Sequence, residues 1–330
     1  MSSETTSSPA AADLMAGVAA QPGVAKPAPI LTATGIRRSF GGLTAVDVAH
    51  LEVQRGTITA LIGPNGAGKS TLFNLLTGFD RLGTGTWSFN GRRVSGMSGH
   101  QVARRGMVRT FQLTKALTRL TVMENMLLAA PNQRGERLWG AFLRWGSRAA
   151  RTTVETGAPD AAGGASQPLS RAWNALARLG WRSQEQANIA RAEELLERFN
   201  LLPMRDEMAG SLSGGQRKLL EMARALMTRP AMIMLDEPMA GVNPALVESL
   251  LDHITRLRDE GVTVLFVEHD MDVIMGISDW IVVLAEGRTI AEGRPEDIRS
   301  NRSVIDAYLG AHHDEPGSDG DAGAAGEEDR

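Results

Sequence analysis

The 330-residue sequence contains no cysteine. Disulfides and thiolate metal sites are therefore excluded, and the composition suits a reducing compartment such as the cytosol. No run of eighteen apolar residues occurs, so no transmembrane helix is expected. The first residues lack a basic segment followed by an apolar one, so no secretory signal is expected. A strong charge bias is lacking as well. The formal net charge is −3, and residues 314–330 (DEPGSDGDAGAAGEEDR) carry seven acids and one Arg, a contribution of −6. The rest of the chain thus sums to +3, mildly basic, and no nucleic-acid partner is implied.

Large apolar residues are scarce over 1–28, which is rich in Ala, Pro, Ser and Thr. Composition predicts disorder there and in the acidic tail over 313–330, a solvated end. Between them, with 42% hydrophobic residues overall, the chain can bury a sizeable core. Residues 29–312 read as one domain of ordinary size, interrupted by an insert over about 131–186. The insert is basic and amphipathic at its start, holds a linker-like TGAPDAAGGASQPLS, and carries four of the six tryptophans. That clustering reads as a small helical subdomain capped by Trp, or as a surface facing a partner or membrane.

ILTATGIRRSF and AVDVAHLEV alternate in part and predict antiparallel strands of a small leading sheet. TITALIG, AMIMLDE and VTVLFVEHD are short, continuously apolar runs, the pattern of buried central strands. Helical patterns separate them, and IVVLAEGRTIAEG reads as a closing hairpin. The order predicts an α/β domain with a mostly parallel core sheet, whose functional loops gather at the strands' carboxyl ends.

GPNGAGKST, residues 63–71, fills the pattern G-x-x-x-x-G-K-[ST] between a strand and a helix. Gly63, Pro64, Asn65, Gly66, Ala67, Gly68, Lys69, Ser70 and Thr71 form a loop whose backbone N–H groups can wrap a phosphate chain. The helix after the loop adds a field favourable to anions. Lys69 is expected to reach the β and γ phosphates, and Ser70 to ligate Mg²⁺. Asp236, emerging from MIMLDEP, is the second ligand on the metal side. Glu237 is next, where a turn at Pro238 can bring it to the γ-phosphate to activate water. His269, at the same sheet edge, can hydrogen-bond that phosphate. Gln112 in VRTFQLT can bind the metal or the attacking water through its carbonyl oxygen. Phe40, before a Gly pair, can stack on a base.

A second phosphate-like turn, SLSGGQRKLL, stands 144 residues after Lys69, counted at Ser213. Ser213 and Gln216 form a capping box, and Leu219, Leu220, Met222, Ala223 and Leu226 fall on one helix face. That leaves Gly214 and Gly215 unexplained, since each costs up to about 1 kcal/mol relative to Ala in a helix. Close approach of an anion to the backbone accounts for the pair.

Phe40, GPNGAGKST, Gln112, LSGGQ, MIMLDEP and His269 occur in the order and spacing of an ATP-binding subunit of ABC transporters, which this sequence resembles over residues 29–312. The runs RSFGGLTAVDVAHLEV, GMVRTFQLTKALTRLTVMENMLLAA, DEPMAGVNP, VEHDM and EGRPEDIRSNRSVIDAYLG are similar to the branched-chain amino-acid uptake type. The resemblance implies an ATPase of the P-loop fold, with a core sheet, a small antiparallel β subdomain and a helical signature subdomain. It implies ATP and Mg²⁺ as cofactors and a head-to-tail dimer, homo- or heteromeric. There Ser213, Gly214, Gly215 and Gln216 of one subunit meet the nucleotide of the other. It further implies membrane permease subunits as partners, an extracytoplasmic solute-binding protein acting indirectly, and a location on the cytoplasmic face of the plasma membrane. Urea or amide uptake, and a soluble ABC ATPase such as one for iron–sulfur assembly, are the alternatives. Nothing is carried over onto the insert or the tails, which exceed the family's usual length.

Overall fold

The computed structural model describes residues 15–110, 118–131 and 184–311. Gln112, the insert's four tryptophans and the acidic tail lie outside the described residues. The chain divides into two compact units. The first takes in the chain up to Arg109, with Ala231–Ala240 and everything from Pro244; the second is Thr110–Pro230 with Gly241–Asn243.

The first unit holds ten strands among the described residues: β1 (Pro29–Phe40), β2 (Leu43–Gln54), β3 (Ile58–Ile62), β4 (Thr84–Phe89), β5 (Arg92–Arg93), β6 (Met107–Arg109), β7 (Met232–Asp236), β8 (Thr263–Val267), β9 (Trp280–Ala285) and β10 (Arg288–Gly293). Four make an antiparallel sheet in the order β2-β1-β4-β5. This is the leading sheet that the partial alternation predicts. Six make the core sheet in the order β10-β9-β3-β8-β7-β6, parallel except for the β9–β10 hairpin. Every residue of β3 and of β8 is buried. A strand with no solvent face belongs inside a sheet covered on both sides, and these two lie side by side at its centre. Helix α1 (Lys69–Leu76) leaves β3 and buries Leu72, Phe73, Leu75 and Leu76.

The N-terminal stretch corrects one expectation. Composition marks 1–28 as disordered, yet within it residues 15–28 are placed on the first unit. Met15 is buried, and Val18 and Val24 pack on the same core. Lys26 is buried too, its Nζ 2.9 Å from Glu292 Oε2 and 4.3 Å from the Trp280 ring centroid. Trp280 Nε1 donates to the same carboxylate oxygen at 3.0 Å. Three well-placed apolar side chains and one satisfied ion pair anchor a segment whose average composition is poor in both.

In the second unit, α2 (Val122–Leu128) begins at Thr121, whose hydroxyl caps the Glu124 N–H in a capping box. A helix over 184–198 comes next, and then α3 (Gly214–Leu226). Helix α3 buries Leu219, Leu220, Met222, Ala223 and Leu226, as its periodicity predicts. Glu221 lies on the same helix, and burial pushes its carboxyl up to about 7 against the pull of Lys218 and Arg224. A carboxyl raised on folding supports the fold fully below its unfolded value, and that support is lost as pH rises through the folded value. The window here runs from 4.5, the ordinary value, to about 7. Glu221→Gln is therefore expected to melt higher than the parent at about pH 8 and to lose that advantage near pH 4. The difference, after solvent screening, is on the order of 1 kcal/mol. Thermal denaturation of both proteins at the two pH values checks it.

Candidate active site

The strands bring the site together by register. Leu61 of β3 and Asp236 of β7 both lie level with Val267 of β8. The three strands run parallel, so the segments leaving their carboxyl ends emerge at a single edge. Those segments are the glycine-rich loop, the Asp236–Glu237 pair, and Glu268 with His269. His269 stands two residues beyond the end of β8 rather than at it.

The loop's glycines are required by geometry. Gly63, Gly66 and Gly68 have φ of 147°, 79° and 95°. A Cβ at Gly63 would lie 2.0 Å from the Leu284 carbonyl oxygen, and one at Gly68 would lie 2.3 Å from that of Ala45. Both are contacts that no side chain can make. Gly68 is also the N-cap of α1 and brings no side chain to the helix end. The first-turn N–H groups are therefore left for an anion. Lys69 is buried, and its Nζ donates to the carbonyls of Gly63 at 2.7 Å and Pro64 at 3.0 Å. Burial lowers its pKa, and the charge of Glu237 opposes that shift. Ala67 is buried at the turn, its N–H on the Pro64 carbonyl and its carbonyl on the Gly287 N–H. Asn65 and Ser70 are exposed, while Pro64 and Thr71 are half-buried. Burial also raises the Tyr308 phenol, an effect the backbone of Gly63 opposes, which places the sole tyrosine beside the loop's first glycine.

Asp236 closes β7, with Oδ2 accepting from Arg109 Nη2 at 2.5 Å. Glu237 has φ of 48°, a left-handed backbone in which a side chain is uncommon. Its N–H still bonds the Val267 carbonyl at 3.0 Å, so the turn is anchored to β8. The effect is to throw the carboxylate out of the strand's alternation. His269 Nε2 lies 2.8 Å from Glu237 Oε1. The sequence places each residue at the sheet edge; the contact between them is a tertiary fact.

Glu268 is a residue that the sequence motifs do not single out. It is buried, accepting the Met239 N–H at 2.8 Å and the His269 N–H at 3.2 Å. Burial raises its pKa, and those two N–H groups pull it back. One carboxylate thus ties the turn after Glu237 to the turn before His269. An acid closing an otherwise apolar strand was the available signal. Phe40 is 47% exposed, with the Arg38 guanidinium 4.6 Å from its ring centroid. The guanidinium covers one face of the ring.

In the second unit, Ser213 is the N-cap of α3. Its hydroxyl accepts the Gln216 N–H at 3.2 Å, and Gln216 Oε1 accepts the Ser213 N–H at 2.8 Å. The capping box is therefore present. Among the described residues, a Cβ at Gly214 would meet the Gly241 carbonyl oxygen, at an ordinary 3.9 Å. Packing against the described residues does not require that glycine.

The donor set fits Mg²⁺. Among the described residues no cluster of three or more His, Cys, Asp or Glu could hold a metal. One hydroxyl at Ser70 and one carboxylate at Asp236, completed by phosphate oxygens and water, is what a hard octahedral cation takes.

A buried lysine in a glycine loop, with two acids and a histidine beside it at one edge of a parallel sheet, is the constellation of a P-loop nucleotide hydrolase. A family model described as ABC transporter matches residues 46–240, more than half of the chain. The chain belongs to the ABC transporter family, as one of its ATP-binding, ATP-hydrolysing cassettes. A second model, described as branched-chain amino acid ATP-binding cassette transporter, matches residues 288–314. The chain is 41% identical over 283 residues to the high-affinity branched-chain amino acid transport ATP-binding protein BraF of Pseudomonas aeruginosa, covering 86% of this chain and 98% of that one. It is 40% identical, with the same coverage, to the corresponding protein LivG of Salmonella typhimurium. Among solved structures, an ABC-transporter ATP-binding cassette in its ADP conformation superposes with a TM-score of 0.66 at 32% identity. The match covers 86% of this chain and 99% of that one. Among the described residues no helix is long and apolar enough to cross a membrane.

Proposed function

We propose that this chain is the ATP-hydrolysing subunit of an importer that carries branched-chain amino acids through a separate membrane permease. The observation that carries the enzymatic part is the left-handed turn at Glu237. It sets a carboxylate 2.8 Å from His269, with its charge felt at Lys69 inside the phosphate loop. With ATP in that loop, Glu237 accepts a proton from a water that attacks the γ-phosphorus as the bond to the ADP oxygen breaks. His269 Nε2 holds Glu237 before ATP binds, and with ATP in place that N–H passes to a γ-phosphate oxygen. Lys69 and the loop N–H groups balance the charge on the phosphates. The family resemblance assigns Gln112 to the same water or metal, and Phe40 to stacking on the adenine. Ser70 and Asp236 would hold Mg²⁺, which when bound would neutralise charge on the phosphate oxygens.

The signature turn supports a dimer. Among the described residues nothing crowds Gly214, and its cost in helix propensity is offset by a phosphate approaching from a second subunit, identical or homologous. The relatives named for branched-chain amino acid transport, together with the match at 288–314, support the cargo. On this reading the chain works at the inner face of the plasma membrane, and an extracytoplasmic binding protein delivers the solute.

Affinity purification from membranes, and then reconstitution of the co-purifying permease in proteoliposomes, tests the proposal. ATP turnover is expected to rise severalfold when binding protein loaded with leucine, isoleucine or valine is supplied. Stimulation by urea or an amide alone would overturn the cargo. Recovery from membranes with no permease would overturn the transport role.

A further inference from the structure

We propose that Arg109 is a positioning residue that holds Asp236 in place for the metal. It stands three residues before Gln112 and pairs with Met234 across β6 and β7. In parallel strands, paired residues point to the same face, and Asp236 lies two further along that face. The guanidinium therefore reaches forward to the carboxylate. Nη2 donates to Asp236 Oδ2 at 2.5 Å, and Nη1 donates to Asn74 Oδ1 at 2.6 Å. Its carbon lies 5.6 Å from the Phe73 ring centroid. Asn74 and Phe73 belong to α1, the helix that opens with Lys69 and Ser70.

One planar fork thus joins the helix bearing Ser70 to the strand end bearing Asp236, the two residues assigned to Mg²⁺. The side chains of Arg109 and Asp236 are only 10% and 12% exposed, so the pair is largely shielded from water. Holding Asp236 by one oxygen leaves Oδ1 for the metal side. Only an arginine can do this: its two terminal nitrogens address two acceptors in one plane, whereas a lysine ammonium is a single point charge. Partners behind a metal ligand typically set affinity by tenfold or more. This inference rests on the reading of Asp236 as a metal ligand.

The test uses the full chain with ADP and Mn²⁺ as the probe, with bound metal read by electron paramagnetic resonance. Arg109→Lys keeps the positive charge and removes the fork, so the charge that the cation meets at this position is held constant. It is expected to weaken Mn²⁺ binding about tenfold. ADP affinity without metal should stay within about twofold, because the loop is untouched. Asn74→Ala removes the other end of the fork and should weaken Mn²⁺ in the same direction. The double variant should lose less than the two single losses combined, since both act through one network. If Arg109→Lys lowers the melting temperature but leaves Mn²⁺ affinity unchanged or tighter, Arg109 is only a structural pin and the inference is overturned. Asp236→Asn separates the two readings. If it too leaves Mn²⁺ binding unchanged, the metal-ligand reading falls and takes this inference with it. If it weakens binding while Arg109→Lys does not, the Arg109 inference alone falls.

Discussion

Glu237→Gln is expected to reduce steady-state ATP turnover by at least about a hundredfold, the lower range for losing a general base. The amide matches the carboxylate in size and can still hydrogen-bond His269. The left-handed turn and its bond to the Val267 carbonyl depend on the backbone, so the site's shape survives. What is lost is a proton acceptor beside the phosphates. Lys69 also loses the negative charge that faces it, so ATP affinity should hold or rise slightly. Turnover measured beside equilibrium ATP binding separates the two effects. ATP should accumulate uncleaved on the protein. Turnover within about fivefold of the parent would remove Glu237 from the role of base, since no general-base effect is that small.

The second large effect is expected at Ser213. Ser213→Arg should abolish turnover, to below about one hundredth, while isolated subunits still bind ATP, whose cradle is the loop around Lys69. Arginine also removes a helix cap, which costs about 1 kcal/mol. Ser213→Asp removes that ambiguity. Aspartate is as good an N-cap as serine, so the bond from the Gln216 N–H and the buried face of α3 persist. Its charge, however, faces the place assigned to the partner's γ-phosphate. Equal melting temperature with lost turnover is the expected pair of results. Mixing makes the test sharper. Subunits carrying Ser213→Asp keep an intact phosphate loop, and subunits carrying Lys69→Ala keep an intact signature. In a head-to-tail dimer one site of the mixed pair is whole, so activity should return on mixing. No recovery would mean that the signature serves the nucleotide of its own chain.

Different physics made different parts of this protein legible. The continuous apolar runs at β3, β7 and β8 predicted buried parallel strands, because a strand with no polar face has no other place in a soluble fold. The capping box at Ser213 was legible because it is a contact between residues three apart. Gly63 and Gly68 were legible as loop residues, but what forbids a side chain there, the carbonyls of Leu284 and Ala45, comes from far along the chain. The N-terminal stretch misled because average composition hid three anchoring apolar residues and the Lys26–Glu292 pair, partners 266 residues apart.

Local sequence determined the nucleotide loop, the capped signature helix, the core strands and the residue types at their carboxyl ends. Spacing along the chain is enough for these, since each depends on neighbours within one turn or one strand. Tertiary structure alone decided that Glu237 meets His269, that Glu268 ties their two turns together, and that Arg109 spans Asp236 and Asn74. Those contacts join segments brought level by the register of β3, β8, β7 and β6. Register is set by how whole strands pack their buried faces, which no single motif encodes.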